Sequence, residues 1–188
     1  KVGTVEVTIT GTGSYIGEIK SSFDILPAKQ QIQKLETRFK GFFIDWAQKG
    51  SATGYEIEYS TNADFKDSTV KKLTANKPDT LTISGLTAGN KYYVRVRSYT
   101  NVGENVYYGA RSDSKNITTA KYDITKSAIS GISTKTYTGK NITQSVKVKY
   151  NGKTLKSGTD YTVSYSNNKK VGTATVKITG KGQYGGTV

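Results

Sequence analysis

Acid–base chemistry in this chain is limited to carboxylates, lysines and tyrosines. The 188 residues include neither His nor Cys, so the sequence lacks the commonest general base, the commonest metal ligand and any thiolate nucleophile. A pair of carboxylates could still catalyse glycoside hydrolysis. The 14 acidic residues, however, are scattered over predicted strand edges and loops and form no recognisable constellation. The sequence therefore predicts a segment with no catalytic site, no metal and no cofactor.

Lysine is the charged residue type that is concentrated in one part of the chain. The net charge is +14, and residues 121–188 hold 12 Lys against 2 acidic residues. Strand alternation predicts that Lys147, Lys149 and Lys177 point outward. Outward lysines either keep a surface soluble or attract a polyanion, such as wall teichoic acid or an acidic glycan. Nucleic acid is not expected as a partner, because these lysines have no Arg cluster or aromatic stacking groove beside them.

The lysine-rich region belongs to a repeated module. Residues 1–19 (KVGTVEVTITGTGSYIGEI) and 170–188 (KVGTATVKITGKGQYGGTV) are identical at 11 of 19 positions, at an offset of 169 residues. A repeat of this period is a whole module rather than a short solenoid unit. We therefore expect an incomplete first copy over residues 1–27, with Phe23 and Ile25 inward, and a second copy over residues 120–188 without its closing strand.

The remaining sequence pattern is that of short strands. Alternating runs rich in Tyr, Val, Ile and Thr are separated by Gly, Asn and Ser, with no long helical periodicity. The dipeptide Asn151-Gly152 predicts a two-residue hairpin turn, and Asn101–Tyr108 is predicted to be a loop. No apolar run approaches the ~20 residues of a membrane helix. The chain is therefore predicted to be all-β, with no membrane partner.

The stretch between the repeats carries the most specific pattern. The run Gly41–Ala47 alternates and places the only Trp of the chain, Trp46, on its inward face. It is followed further on by Leu86-Thr-Ala-Gly-Asn-Lys-Tyr92-Tyr-Val-Arg-Val. This run resembles the fibronectin type III stretch Leu-x-Pro-Gly-x-x-Tyr-x-Val-x-Val, with Ala88 where the family often has Pro.

The resemblance implies a fibronectin type III β-sandwich over residues 28–119. In that family the Trp lies at the centre of the core, so Trp46 takes this role here. Leu86 matches the Leu that packs under the loop, and Tyr92 matches the tyrosine corner, whose hydroxyl bonds back to the loop backbone. Flanking Ig-like copies would then make the chain a tandem array of Ig-like and fibronectin type III β-sandwiches. Between them, Pro27–Gln30 is predicted to be a short linker that limits bending.

The last module resembles a second family. The phrases KTYTGK and SGTDYTVSYSNNKKVGTATVKITGKGQY, within Tyr137–Tyr184, are similar to an Ig-like repeat of large secreted and wall-attached proteins of Gram-positive bacteria. The resemblance implies an extracellular place, on the cell surface, in the cell wall or secreted. The function it implies is that of a non-catalytic stalk, spacer or adhesin region of a modular surface protein.

Two other functions stay open at this level. The lysines of residues 120–188 could make it a polyanion or glycan (cell-wall) binding module. The chain could also hold accessory modules of a secreted polysaccharide-degrading enzyme. Expected partners are the cell wall, host or extracellular glycans or proteins, and neighbouring modules. The missing strand further suggests head-to-tail strand exchange, in which Lys20–Leu26 of one molecule completes the 120–188 module of another.

Overall fold

The structure is a computed structural model that describes residues 1–48 and 50–188. Its regular elements are strands, apart from one 3₁₀ turn at Ile124–Lys126. The strands are β1 (Gly3–Thr10), β2 (Glu18–Ile25), β3 (Ile32–Arg38), β4 (Gly41–Trp46), β5 (Gly54–Ser60), β6 (Thr69–Leu73), β7 (Thr80–Ile83), β8 (Lys91–Val102), β9 (Asn105–Tyr108), β10 (Lys115–Thr118), β11 (Tyr122–Asp123), β12 (Ala128–Ser130), β13 (Lys147–Tyr150), β14 (Lys153–Thr154), β15 (Tyr161–Ser166), β16 (Thr175–Gly180) and β17 (Tyr184–Gly185). The predicted all-β sandwich class is confirmed.

The chain divides into two compact units. The first comprises Lys1–Thr37, Phe42–Ile83 and Lys91–Ile117, and the second comprises Arg38–Gly41, Ser84–Asn90 and Thr118–Val188. The first unit therefore holds the β1–β2 hairpin and most of the middle sandwich. The second unit holds the last module.

The middle sandwich is built from two antiparallel-paired sheets. One has the order β3-β4-β7, and the other has the order β10-β8-β5-β6 with β9 paired to β8. Alternation buries Phe42, Ile44 and Trp46 of β4 completely. The Trp46 ring lies 5.3 Å from the ring of Tyr55 on β5, centroid to centroid, so the core joins the two sheets.

The β1–β2 hairpin has one apolar face that stays exposed. Its register pairs Gly3 with Ile25 and Val5 with Phe23, and directly opposite residues share a face. Phe23 and Ile25, predicted to be inward, are 54% and 38% exposed. The described residues thus include no second sheet that covers this face.

Two connecting segments are structured, and the second of them differs from the prediction. The expected linker Pro27–Gln30 is anchored, since Pro27 and Gln30 are buried and Lys29 Nζ lies 2.7 Å from Asp113 Oδ1. The expected loop Asn101–Tyr108 is the end of a hairpin, in which β9 pairs with β8 around a turn at Gly103. Val106, Tyr107 and Tyr108 are strand-forming residues, so this stretch extends the sheet.

The last module is a small sandwich in the second unit. It contains the sheets β12-β13-β14 and β15-β16, together with the parallel pair β11 and β17. Asn151 and Gly152 both take positive φ, 46° and 78°, and form the predicted turn between β13 and β14. The core is a cluster of apolar residues drawn from both sheets and from the 3₁₀ turn: Ile124, Val148, Leu155, Tyr161, Ile178 and Tyr184.

The two repeats fold alike around their turn. In the first copy, the Gly11 amide donates to the Gly17 carbonyl (2.9 Å), and the Tyr15 amide to the Thr12 carbonyl (3.2 Å). The second copy has the same two bonds at an offset of 169 residues: Gly180 to Gly186 (3.0 Å) and Tyr184 to Lys181 (3.1 Å). The sequence repeat is therefore also a structural repeat.

Candidate functional site

A cluster of paired charges lies on the outer face of β5 and β8. Glu58 accepts two bonds from Arg95, from Nε (2.8 Å) and Nη2 (3.0 Å), one from Arg111 Nε (2.5 Å) and one from the Ser68 hydroxyl (2.8 Å). The side chain of Glu58 is only 8% exposed. A bidentate guanidinium and two further donors therefore occupy both carboxylate oxygens.

This environment determines the protonation state of Glu58. Burial raises the pKa of the carboxyl group, but the hydrogen bonds from Arg95, Ser68 and Arg111 outweigh it and lower the pKa to about 2. A carboxyl group with such a pKa stays ionised at neutral pH and cannot donate a proton. Glu58 is therefore suited to holding arginines in place and unsuited to general acid catalysis.

A second carboxylate beside it is paired in the same way. Glu56 lies opposite Arg97 in the β5–β8 register, and its Oε2 is 2.7 Å from Arg97 Nη2. Lys72 Nζ lies 4.0 Å from the other carboxylate oxygen. Alternation puts both glutamates on one face, as the repeating pattern of β5 predicts. Each glutamate thus has more than one cation around it.

Aromatic rings lie beneath these cations. The Arg95 guanidinium lies 3.8 Å from the centroid of the Phe65 ring, and that of Arg97 lies 4.0 Å from the Tyr108 ring. Such stacking contributes about 0.5–2 kcal/mol per pair and restricts the guanidinium plane. The outer face of this sheet is therefore a set of cations that are already paired and stacked, which leaves little free charge for a ligand.

The lysines selected from the sequence lie in the second unit. Lys147 and Lys149 are exposed on β13, and Lys177 is exposed on β16. Val148 and Ile178 point into the shared core cluster, so the lysines next to them along each strand point away from it. Because β13 and β16 belong to different sheets, the structure brings Lys147 and Lys149 together and places Lys177 on the other outer face.

The cross-strand neighbours of these lysines are neutral. Lys147 lies opposite Ser130, Lys149 lies opposite Ala128 on β12 and Thr154 on β14, and Lys177 lies opposite Ser164. The register therefore provides no carboxylate to neutralise the three ammonium groups. This is the reverse of the arrangement on β5 and β8.

Two of the three structural residues predicted for the middle module, Trp46 and Tyr92, are buried. Trp46 is fully buried, and Tyr92 is 8% exposed with its ring 6.4 Å from that of Tyr59. Leu86 is half-buried, and its amide donates to the Lys40 carbonyl at 2.8 Å.

A groove of about 450 Å³ in the last module was not among the sequence predictions. Its walls come from the irregular segment 132–144, the end of β15 and the start of β16. Apolar side chains line part of it, including Ile132, Tyr137, Ala174 and Val176. No motif in the sequence indicated it, because its walls come from segments that are separate in the chain.

Metal and membrane sites are not indicated by the described residues. Within residues 1–48 and 50–188, no group of three or more Asp and Glu is placed to hold a metal ion. In the same residues, no helical segment has the length and apolar character needed to span a membrane.

Comparison with known proteins identifies the middle module. Residues 38–115 match the family model for the fibronectin type III domain, within the predicted span of 28–119. The chain therefore contains a fibronectin type III domain. The Ig-like character of the flanking repeats and a Gram-positive source stay predictions. None of the curated proteins matches the sequence.

Solved structures match this chain at low sequence identity. The FN1-FN3 domains of chicken CNTN1 match at 16% identity (TM-score 0.44), over 64% of this chain and 42% of that chain. The fn3 domain of human contactin 1 matches at 17% identity (TM-score 0.42), over 59% of this chain and 93% of that one. A β-1,2-glucanase from Parabacteroides distasonis matches at 20% identity (TM-score 0.39), over 57% of this chain and 16% of the enzyme. This chain thus spans less than half of the CNTN1 fragment and less than half of the glucanase.

Proposed function

We propose that this chain is a non-catalytic segment of a modular bacterial cell-surface protein that acts as a stalk, a spacer or an adhesin region. Fibronectin type III domains are commonly modular spacers or binding modules, and fold alone does not select between these roles. The observation that carries the proposal is the recurrence of one module on both sides of this domain, with 11 of 19 identical residues and matching turn hydrogen bonds.

The charged chemistry of the middle module supports a structural role. Glu56 and Glu58 are held by ion pairs with arginines. The ionised Glu58 carboxylate stabilises the outer face of the sheet rather than serving proton transfer. Such a surface suits a spacer. Paired and stacked charges stabilise the sheet and leave little free charge to bind other molecules.

A display experiment tests the spacer role. An epitope tag is fused before Lys1, and Val188 is attached to beads that carry a polymer brush thicker than the tag. If the chain is a spacer, it lifts the tag through the brush, and an antibody binds it more than a tag that is attached directly. Equal antibody binding with and without the chain would contradict the proposal.

One observation favours polyanion binding as a second function. Lys147 and Lys149 lie on one face of β13, roughly 7 Å apart along the strand, with neutral cross-strand neighbours. Cell-wall teichoic acid or an acidic glycan would suit this unneutralised pair. On beads coated with an anionic polymer at low salt, a binder would lie against the surface and hide the tag. A spacer without polyanion affinity would leave the tag accessible on both kinds of bead.

A further inference from the structure

A shallow pocket of about 330 Å³ lies where the β1–β2 hairpin meets the β8–β9 hairpin, within the first unit. Its polar lining residues include Thr4, Asp24, Asn105 and Tyr107, and Leu26 and Val106 add apolar surface. The described residues that line it include no Lys or Arg. In a chain with a net charge of +14, this pocket is therefore a place where acceptor groups dominate.

The pocket lies on the polar face of the β1–β2 hairpin. Thr4 pairs with Asp24, and the next pair along the strands, Val5 with Phe23, lies on the other face. The polar lining is thus separate from the exposed apolar face of the hairpin. The pocket does not depend on what covers that apolar face.

Hydrogen bonds fix three of the polar side chains in one arrangement. The Thr4 hydroxyl donates to Asp24 Oδ1 at 2.7 Å, and its oxygen lies 2.8 Å from the Tyr107 hydroxyl. Thr4 has one hydroxyl proton, which Asp24 accepts, so Tyr107 must be the donor in the second bond. The direction of both bonds is therefore set, from Tyr107 through Thr4 to Asp24.

This direction leaves acceptors available to a ligand. The Tyr107 oxygen has given its proton to Thr4 and keeps its lone pairs, and Asp24 Oδ2 takes part in no hydrogen bond among the described residues. The exposed amide of Asn105 adds both a donor and an acceptor. These groups fit a ligand that carries several hydroxyl donors and no negative charge.

We propose that this pocket binds a neutral saccharide. Sugar hydroxyls donate to Asp24 and Tyr107, and the Asn105 amide donates to a sugar oxygen. Leu26 and Val106, which are 54% and 44% exposed, contact the C–H groups of the sugar ring. Because the pocket is shallow and the contacts are few, we expect a dissociation constant on the order of 1 mM. The site depends neither on the spacer role nor on the lysines of the last module.

An NMR titration of the full chain tests the site. The probes are four neutral oligosaccharides: cellotetraose, maltotetraose, laminaritetraose and chitotetraose. We expect saturable shifts of the Asn105 and Tyr107 amide signals with at least one of them, and no shift of the Ile178 amide in the second unit. No saturable shift at the two pocket amides with any probe at roughly 10 mM would overturn the proposal.

Matched variants locate the contact. Asp24→Asn keeps an oxygen that can accept from Thr4 but removes the charged acceptor, so affinity should fall roughly tenfold. Glu18→Gln removes an exposed carboxylate at the other end of β2 and should leave the affinity unchanged. The dispersion of the same spectra shows whether each variant is folded. Equal affinities of the two variants would contradict a site at Asp24.

The hydrogen bonds among these side chains could also serve only to hold the two hairpins together. Tyr107→Phe separates the two roles, because it keeps the ring and removes the hydroxyl. A saccharide site requires a loss of affinity in this folded variant. A lower melting temperature with unchanged affinity would show a purely structural network and overturn the proposal.

An anionic probe of the same length tests the class of ligand. Tetragalacturonate carries a carboxylate on every sugar, and the acceptors of the pocket should repel it. It should therefore leave the Asn105 and Tyr107 amides unshifted. Shifts of these amides that equal or exceed those caused by the neutral probes would overturn the assignment to neutral saccharides. Neither result bears on the display experiment, so failure here is distinguishable from failure of the spacer role.

Discussion

The outer faces of β5–β8 and of β12–β13 show two uses of charge in one chain. On β5–β8, Glu58 and Glu56 lie directly opposite Arg95 and Arg97 and accept hydrogen bonds from them. On β12–β13, the lysines lie opposite Ser130 and Ala128. The first face holds its own sheet together, and the second leaves its charge for solvent or a partner. Register, rather than the number of charged residues, separates a structural surface from a candidate binding surface.

The largest expected effect comes from breaking the paired face. Glu58→Gln removes a charge that holds two arginines, whose side chains are 28% and 33% exposed. We expect unfolding of the fibronectin type III domain to become easier by about 3 kcal/mol. Urea denaturation followed by Trp46 fluorescence measures this effect. The exposed Glu104→Gln serves as the matched control, and an equal loss in both variants would show that the pairing contributes nothing.

A pH titration should reveal the same group. The pKa of Glu58 is lowered from 4.5 to about 2 by folding, so its stabilising effect is fully present above pH 4.5 and is lost as the pH falls toward 2. Between pH 5 and pH 3 the domain should lose about 2 kcal/mol from this group. Glu58→Gln should flatten that part of the stability curve. Identical curves for the wild type and this variant would contradict the assignment.

Removing the unpaired lysines should affect binding and leave folding unchanged. Lys147→Gln with Lys149→Gln should reduce affinity for a purified teichoic acid roughly tenfold and lower its salt dependence. The free energy of unfolding should change by less than about 0.5 kcal/mol. Lys177→Gln is the comparison, since this residue lies on the other outer face. Equal losses from the double and the single substitution would argue for diffuse attraction by net charge.

The smallest expected effect comes from giving a lysine of β13 a cross-strand carboxylate, as the arginines of β8 already have. Ser130→Glu places a carboxylate opposite Lys147. A new cross-strand ion pair should raise the free energy of unfolding of the last module by about 0.5 kcal/mol. It should also weaken retention on an anionic resin at low salt. Stronger retention, or lower stability, would show that cross-strand pairing does not govern this face.

Alternation along single strands was readable from the sequence. In β5 it separates the fully buried Ile57 from Glu56 and Glu58 on the other face, and in β13 it predicts that Lys147 and Lys149 point outward on either side of Val148. It could not predict the partners of these residues, because Arg95 is 37 positions from Glu58 in the chain. It also placed Lys177 in one group with the other two lysines, although sheet membership separates them.

Connections between strands were the least predictable part. The anchoring of Pro27–Gln30 depends on residues far along the chain, such as Asp113, which pairs with Lys29. Local pattern gave the faces of the strands, and tertiary register decided how each face is used.

The matching turns at Gly11–Gly17 and Gly180–Gly186 have a consequence for folding kinetics. Each turn joins strands that are adjacent in the sequence, so a hairpin of this kind can form within microseconds. The β5–β8 pairing of the middle domain must first close a loop that separates Glu58 from Arg95 by 37 positions. During synthesis the repeat turns should therefore form early, and the fibronectin type III domain should set the rate at which the chain becomes fully folded.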